Sequence, residues 1–356
     1  MRKVLAVCNN PGSFNNVYPV GIELEQRGYS VKWIPEGFAV GELIERQKSF
    51  ERTAFAEDLL CRYPDSVVLS GFSEGKGIEW QIDYYCQNKN LIVKVHDSRE
   101  GFIFTDWKDE NLWPGVICVN DTEGERILRL AWRDFSGRVA ITGYPRFDAL
   151  IITSVKTFRE DVCRRLELRE DKPIVLFAGT LIKAGETFLE VARVLSQGGF
   201  DCHFLPRRHP RWEKDASLEQ KHYWDQAVEK YGSLMTDSRS VNDIVPLLAA
   251  ADVVISDHST ALEEAATLQK IPIWVLYPGV MLEDYLKISG NIFQRPPAVE
   301  MGCAVMASDR AELINTLRGA LSGELGDIKL RQREKLLLNG GNTKRVADIV
   351  AKQCEL

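Results

Sequence analysis

The stretch Val253–Leu268, with the sequence VVISDHSTALEEAATL, says more about the fold than any other part of the chain. Its apolar start predicts a buried strand, small polar residues follow, and a helix begins near Thr260. A strand that leads directly into a helix is typical of a parallel sheet covered by helices. The first amides of that helix lack internal partners, so Ser259 and Thr260 would offer donors to a phosphate. Thr260 and Glu263 also fit a capping box, which needs no ligand.

The same alternation of apolar runs and amphipathic stretches continues on both sides of this stretch. The strands that it predicts are Lys3–Cys8, Ser30–Ile34, Ser66–Ser70, Leu91–Val95, Val116–Val119, Val139–Thr142, Pro173–Ala178, Cys202–Leu205, Val253–Ser256 and Ile271–Leu276. We therefore expect an α/β protein of two Rossmann-like, doubly wound parallel-sheet domains that face a central cleft. The predicted domains are residues 1–155 on the acceptor side and 156–330 on the donor side. A helical tail, residues 331–356, is expected to pack back across the cleft.

Composition places the chain among soluble globular proteins. Its 356 residues, 45% apolar and 27% charged, suit two cores of roughly 150 residues each. No apolar run approaches the ~20 residues of a membrane helix, and no signal-peptide pattern is present, so we expect a cytoplasmic protein. The eight cysteines are scattered without a Cys-x-x-Cys pair and predict reduced packing residues. A net charge of -6 argues against broad nucleic-acid binding.

Polar strings follow several predicted strands, at the edge where open parallel sheets bind their ligands. They include residues 9–13, 96–99 and 179–180. The most basic string, Arg207–Arg211 (RRHPR), concentrates guanidinium groups where a small anion such as a phosphate ester could bind. The sequence has no spacing of His, Cys or Asp typical of a metal site, no P-loop and no Gly-x-Ser-x-Gly motif. These patterns disfavour metalloenzymes, kinases, GTPases and α/β-hydrolases.

Several strings together resemble the CDP-glycerol glycerophosphotransferase family, within the GT-B glycosyltransferase architecture. His96 resembles the histidine of the family's Trp-His-Gly motif, and residues 143–148 (GYPRFD) resemble its Gly-Tyr-Pro-Arg-Asn-Asp. Residues 207–211 resemble its Arg-x-His-Pro, and residues 256–260 (SDHST) its Thr-Asp-Tyr-Ser-Ser, with Glu264 at the acidic position beyond. The resemblance implies a metal-independent transferase that moves glycerophosphate or a glycosyl group from a nucleotide-activated donor, with a cytidine nucleotide favoured. The acceptor would be a hydroxyl in surface polysaccharide or teichoic-acid-like polymer synthesis.

Transfer to a hydroxyl needs a base for its proton, and an imidazole that titrates near neutral pH suits that role. We take His96 as the candidate base, with Asp97 as its orienting partner or its replacement. A hydrogen-bonded structural histidine is the alternative. The candidates for binding the donor are Thr180, Arg207, His209, Pro210, Ser259, Thr260 and Glu264. Arg146 and Asp148 are either donor-side residues or a structural pair at the domain boundary.

The expected partners are a nucleotide-activated donor, such as CDP-glycerol or a nucleotide sugar, and a glycan or lipid-linked acceptor. No cofactor and no nucleic acid are expected. A lipid-linked acceptor would bring the chain to the inner face of a membrane, although no basic amphipathic helix is seen. Two alternatives stay open. One is an enzyme like the hydrolysing or non-hydrolysing UDP-N-acetylglucosamine 2-epimerases, suggested by residues 263–265 (EEA), and the other is a non-catalytic nucleotide-binding module.

Overall fold

The computed structural model describes residues 3–53, 55–73, 75–96, 98–99, 101–103, 109–152, 155–279, 281–290, 292 and 294–355. The chain forms two compact units. Unit 1 comprises Met1–Ala149 and Asn339–Leu356, and unit 2 comprises Leu150–Leu338. The sequence analysis divided the chain after residues 155 and 330, whereas these units divide it after Ala149 and Leu338.

Each unit has its own parallel sheet. The strands are β1 (Val4–Cys8), β2 (Val31–Pro35), β3 (Val67–Ser70), β4 (Ile92–Val95), β5 (Val116–Val119), β6 (Arg138–Ile141), β7 (Ile174–Ala178), β8 (His203–Arg207), β9 (Val253–Ser256), β10 (Ile271–Val275) and β11 (Val305–Ala307). Their order is β2-β1-β3-β4-β5-β6 in unit 1 and β11-β10-β9-β7-β8 in unit 2. All the strand pairs are parallel, so the predicted fold class is confirmed.

Helices connect the strands, as parallel pairing requires. They are α1 (Pro11–Gln26), α2 (Phe38–Glu45), α3 (Ala56–Arg62), α4 (Ile78–Tyr85), α5 (Thr122–Ala131), α6 (Pro145–Ile151), α7 (Val155–Arg165), α8 (Ala184–Gln197), α9 (Trp212–Asp215), α10 (Leu218–Tyr231), α11 (Ile244–Ala250), α12 (Ala261–Thr267), α13 (Leu282–Ile288), α14 (Pro297–Glu300), α15 (Arg310–Ser322), α16 (Gly326–Lys335) and α17 (Asn342–Glu355). Among the described residues, no helix is long and apolar enough to cross a bilayer.

The first helix, α1, begins within the polar string of residues 9–13. Residues 9–13 follow β1 and resemble a loop, but Asn10 accepts a hydrogen bond from the Ser13 amide at 2.8 Å and caps α1. Pro11 occupies the first helical position, where its missing N–H costs nothing. The helix therefore starts directly at the end of β1 and brings its N-terminus to the carboxyl edge of the sheet.

Both faces of the unit 1 sheet are buried. One face packs against α1 and the C-terminal helix α17, through residues such as Val17, Val346 and Val350. The other face packs against α3 and α4, through residues such as Leu59 and Ile82. Because both faces are covered, the strands are nearly continuous apolar runs, as the sequence showed.

The order of strands reverses once in each sheet. In unit 1, β2 and β3 lie on opposite sides of β1, and in unit 2, β8 and β9 lie on opposite sides of β7. Successive connections leave opposite faces of the sheet at such a point and open a crevice beyond the strand ends, where α/β proteins bind ligands. We therefore expect a ligand-binding site at one or both of these switch points.

Candidate functional site

At the switch point of unit 2, hydrogen bonds join the loops that follow β7 and β9. The Thr180 hydroxyl donates to Asp257 Oδ2 at 2.8 Å. Ser256 Oγ lies 3.3 Å from Asp257 Oδ1 and donates to the Ala178 carbonyl at 2.6 Å. Asp257 is 3% exposed and Thr180 8% exposed. Thr180 is a predicted site residue, whereas Asp257 was given no role.

The basic string lies at the end of β8, next to β7. The Arg207 carbonyl accepts from the Gly179 amide at 2.8 Å, and the Arg207 guanidinium donates to the Asn242 carbonyl. A guanidinium has five N–H groups, and the bond to Asn242 uses one of them. His209 is half-buried, its Nδ1 accepts from the Arg211 amide at 3.1 Å, and burial and Arg211 both lower the pKa of its imidazole. Pro210 is exposed.

The loop after β9 leads into α12, as predicted. Ser259 Oγ accepts from the Ala261 amide at 3.2 Å, so the Ser259 hydroxyl hydrogen remains able to donate. Thr260 is exposed and makes no side-chain capping bond, so the capping box that its spacing suggested is not formed. Glu264 is 3% exposed, so its carboxylate could contact only a ligand that enters the interior.

The spacing of these strands decides whether one ligand could contact both donor groups. Arg207 ends β8 and Ser259 follows β9, and each of these strands is a direct neighbour of β7. Adjacent strands lie about 4.8 Å apart, so the two strand ends are separated by roughly 10 Å. A nucleotide diphosphate spans that distance.

Unit 1 contributes the predicted base, His96, at the end of β4. It is 1% exposed, and its ring centroid lies 4.6 Å from that of Phe72 and 3.8 Å from that of Phe102. Its Nδ1 accepts from the Ser98 amide at 3.1 Å. A backbone amide only donates, so Nδ1 carries the lone pair and the neutral ring carries its proton on Nε2. For Nδ1 to act as a base, its hydrogen bond from the Ser98 amide would first have to break. Asp97 lies outside the described residues.

The sequence analysis missed a buried polar cluster at the switch point of unit 1. Ser13, at the start of α1, donates its hydroxyl hydrogen to Glu79 on α4, and Lys94 on β4 forms an ion pair with Asp83. All four side chains are 0–1% exposed. A Cβ atom on Gly71, at the end of β3, would lie 2.6 Å from Ser13 Cβ, so only glycine allows this approach.

The cluster holds two carboxyl groups and one ammonium group, so its charges do not balance. Burial raises the pKa of Glu79 to about 6, against the opposing effects of Lys94 and Ser13. Burial likewise raises the pKa of Asp83 to about 6, again opposed by Lys94. Buried carboxyl groups with raised pKa values at a strand edge are typical of functional sites, although structural networks also show them. The sequence did contain one signal for this cluster, because Lys94 lies inside the apolar run IVKV at residues 92–95.

Arg146 and Asp148 lie near the C-terminal helix of unit 1. The Asp148 carboxylate accepts from the amides of Asn342 and Thr343 at 3.0 and 2.8 Å, so it caps α17. Gly143, at φ +74°, has no room for a Cβ because Asn342 lies against it. The Arg146 amide donates to Asn16 Oδ1 at 3.3 Å. The string of residues 143–148 thus anchors the last helix onto unit 1, which gives Asp148 a structural role.

The family comparison matches residues 95–316, which is 222 of the 356 residues. The matching model is that of the CDP-glycerol:poly(glycerophosphate) glycerophosphotransferases. The chain belongs to this family. The match includes His96 in unit 1 and every predicted donor-binding residue in unit 2, so the resemblance given by the sequence motifs is confirmed.

Two curated members of this polymer-forming group align with part of the chain. A teichoic acid poly(ribitol-phosphate) polymerase of Bacillus spizizenii is 27% identical over 157 residues, which are 42% of this chain and 23% of that protein. The teichoic acid ribitol-phosphate polymerase TarL of Staphylococcus aureus is 29% identical over 162 residues, 42% of this chain and 26% of that protein. The aligned part spans about a quarter of these relatives.

Solved structures agree with the fold along the whole chain. The wall teichoic acid polymerase TagF, in a variant soaked with CDPG, matches with a TM-score of 0.63 and 14% identity, covering 99% of this chain and 89% of that one. MnaA of S. aureus, in a co-structure with UDP, matches with a TM-score of 0.70 and 14% identity, covering 100% and 98%. MurG of Acinetobacter baumannii gives a TM-score of 0.61 at 14% identity, covering 98% and 99%. The fold class is GT-B, with two Rossmann-like units.

Proposed function

We propose that this glycerophosphotransferase family member moves a phosphate-linked polyol, glycerophosphate in the first instance, from a cytidine diphosphate donor to an acceptor hydroxyl of a teichoic-acid-like or other surface polymer. The acceptor oxygen forms a bond to the β-phosphorus of CDP-glycerol. The bond from that phosphorus to the bridging oxygen breaks, CMP leaves, and the acceptor proton passes to a base.

The observation that carries this proposal is the family match over residues 95–316, which covers motif residues in both units. The epimerase alternative is not favoured, because the matching family and the aligned relatives are polymer-forming transferases. A nucleotide sugar as donor stays a second chemical option for the same residues.

Charge supports an assignment of the leaving nucleotide to unit 2. As CMP leaves, negative charge grows on its phosphate, and N–H and O–H donors already in place stabilise that charge. Arg207 offers guanidinium donors and Ser259 a hydroxyl hydrogen, at the ends of two strands that are roughly 10 Å apart. We assign phosphate binding to these two residues, with Thr260 beside them on the exposed surface. His209 and Pro210, on the neighbouring loop, are assigned to the nucleobase.

The proton acceptor is assigned to His96 or Asp97. In the conformation described, His96 presents Nε2–H and would donate a hydrogen bond, for example to a phosphoryl oxygen. It becomes a base only if Nδ1 loses the Ser98 amide. We therefore expect His96→Gln, which keeps one hydrogen-bonding group, to retain nucleotide binding. If His96 is the base, transfer falls by roughly 10²- to 10⁴-fold.

The first experiment is calorimetric titration of the full chain with CMP, UMP, GMP and AMP. We expect CMP to bind most tightly and Arg207→Met to weaken CMP binding at least tenfold, since it removes a charged hydrogen bond. Arg239→Met is the matched control, because Arg239 is exposed and pairs with Asp237. Release of CMP from CDP-glycerol in the presence of a polyol-phosphate acceptor then tests transfer. Binding of no nucleotide, or equal effects of both arginine variants, would refute the proposal.

The proposed reaction uses no cofactor and no metal, so EDTA should leave transfer unchanged. No group of three metal-ligating side chains is found among the residues that the structure describes. A lipid-linked acceptor would require contact with the cytoplasmic face of a membrane. Sedimentation with vesicles that carry such an acceptor, against vesicles without it, tests that part of the proposal.

A further inference from the structure

The side chains of Thr180, Ser256 and Asp257 meet at the ends of β7 and β9, and their hydroxyl hydrogens are used in hydrogen bonds within unit 2. A hydroxyl group has one hydrogen to donate, and the Thr180 hydroxyl gives it to Asp257. The Ser256 hydroxyl hydrogen goes to the Ala178 carbonyl, its closer partner. The Asp257 carboxylate only accepts. Toward a ligand, these side chains therefore offer lone pairs.

Two amides at the start of the next helix are also used within unit 2. The amides of Gly185 and Glu186, in the first turn of α8, both donate to Gln220 Oε1, at 2.9 and 3.2 Å. Gln220 is 2% exposed, and its backbone leaves no room for a Cβ on Gly185. These two amides, of the kind that a helix N-terminus usually offers to phosphate, are thus occupied.

The nearest cation on the same loop has other partners. Lys183 Nζ lies 3.2 Å from Glu186 and 3.8 Å from Asp284. The Asp257 carboxylate is buried, the Thr180 hydroxyl donates its hydrogen to that carboxylate, and the charge of Lys183 is balanced by its ion pairs. Such a set of groups disfavours a phosphate and favours a ligand group that donates a hydrogen bond. The residues assigned to the phosphate lie close by: Arg207 ends β8, and Ser259 lies two residues beyond Asp257 on the loop after β9.

We infer that the crevice between β7 and β9 binds a hydroxyl group of the ligand, with Thr180 as the hydrogen-bond acceptor and Asp257 as the positioning residue that fixes the direction of that bond. This inference rests on the proposed nucleotide-binding function and adds one part to it, because it gives Thr180 the recognition of a hydroxyl group. The hydroxyl belongs either to the ribose of the nucleotide or to the polyol that is transferred.

The test is calorimetry on the full chain with ligand pairs that differ by hydroxyl groups. The pairs are CMP with 2′-deoxy-CMP, CMP with 3′-deoxy-CMP, and CDP-glycerol with the propyl ester of CDP. Inorganic pyrophosphate serves as the ligand without hydroxyl groups. The variants are Thr180→Val, which has the same shape without the hydroxyl, Thr180→Ser and Asp257→Asn. Thr187→Val is the matched control, because the Thr187 hydroxyl is also buried and donates to the Lys183 carbonyl.

We expect one ligand pair to show a hydroxyl preference of about five- to tenfold in the wild type, the size of one hydrogen bond. The pair that shows it identifies the source of the hydroxyl. Thr180→Val should abolish that preference and leave pyrophosphate binding within twofold, whereas Thr180→Ser and Thr187→Val should keep it. In Asp257→Asn, the asparagine amide can donate to the Thr180 oxygen, so the Thr180 hydroxyl hydrogen is no longer held by residue 257. Asp257→Asn should therefore lose the preference without weakening pyrophosphate.

Two results would overturn the inference while leaving the proposed function intact. In one, Thr180→Val weakens pyrophosphate and every nucleotide by the same factor, which is the behaviour of a phosphate ligand or of a structural residue. In the other, the hydroxyl preference survives in Thr180→Val. Failure of the wild type to bind any nucleotide would refute the proposed function, and the inference with it. Circular dichroism melts of each variant exclude loss of folding as the cause.

Discussion

Replacement of Glu79 by glutamine should stabilise unit 1 at neutral pH. Glu79 and Asp83 are both buried beside one lysine, so one negative charge of the cluster has no ionic partner among the described residues. Glutamine keeps an oxygen that accepts from Ser13 and leaves Lys94 and Asp83 as a balanced pair. Because a buried unpaired charge costs more than a hydrogen-bonded amide, the variant should be the more stable protein.

The magnitude and the pH range follow from the pKa of Glu79. Burial raises it from 4.5 to about 6, which corresponds to roughly 2 kcal/mol at about 1.4 kcal/mol per pKa unit. The folded state holds the proton more tightly than the unfolded state, so stability is lost as pH rises from 4.5 through 6. The groups that interact with Glu79 are Ser13, Ser73, Lys94, Asp83 and Cys8, whose thiol pKa is raised by burial and by Glu79. Below pH 4.5 the variant and the wild type should be equally stable.

Urea unfolding at pH 4.5 and pH 8 measures this difference. With a slope near 2 kcal/mol per molar urea, Glu79→Gln should raise the midpoint by about 1 M at pH 8 and hardly at all at pH 4.5. Glu57→Gln, on the exposed surface of α3, is the control and should change the midpoint little at either pH. If Glu79→Gln were no more stable than the wild type at pH 8, or if its gain were the same at both values, the reasoning from burial would be wrong.

Three further predictions concern stability. Asp148→Ala should remove the cap of α17 and lower the free energy of unfolding by about 0.5–2 kcal/mol. Amide hydrogen exchange across Asn342–Glu355 should become faster, and unchanged exchange there would contradict the capping role. Asp121→Asn should cost roughly 3 kcal/mol or more in urea unfolding, since Asp121 forms a buried ion pair with Arg99, 2.9 Å from Nε, and the substitution breaks this pair. Burial lowers the pKa of Lys270 to about 8, so the unfolded state holds the proton more tightly and the stability of the wild type should rise between pH 8 and 10.5. Lys270→Met should be about 1–3 kcal/mol more stable than the wild type at pH 7, and its stability should not show this rise. A wild-type stability that does not change over this pH range would refute the argument.

Strand-end reasoning located several candidate residues at the ends of strands. Thr180, Arg207 and Ser259 each follow or end a strand, and the structure puts β8 and β9 on either side of β7. This works because parallel strands end at the same edge, so a sequence pattern that locates the strand ends also locates the loops beyond them. The catalytic roles of His96 and Asp97 stay predictions, and their test is the transfer assay.

The sequence by itself determined the two α/β units, the family and the loops that carry polar groups, because hydrophobic periodicity and short motifs are local properties of the chain. Only the tertiary structure decided how those groups are paired. The strand order of each sheet determines two such pairings. Thr180 donates its hydroxyl hydrogen to Asp257, 77 positions away, and Glu79 and Lys94 share a buried cluster. A hydroxyl donates or accepts according to the neighbour that the fold provides, and that neighbour cannot be found from either stretch of sequence alone.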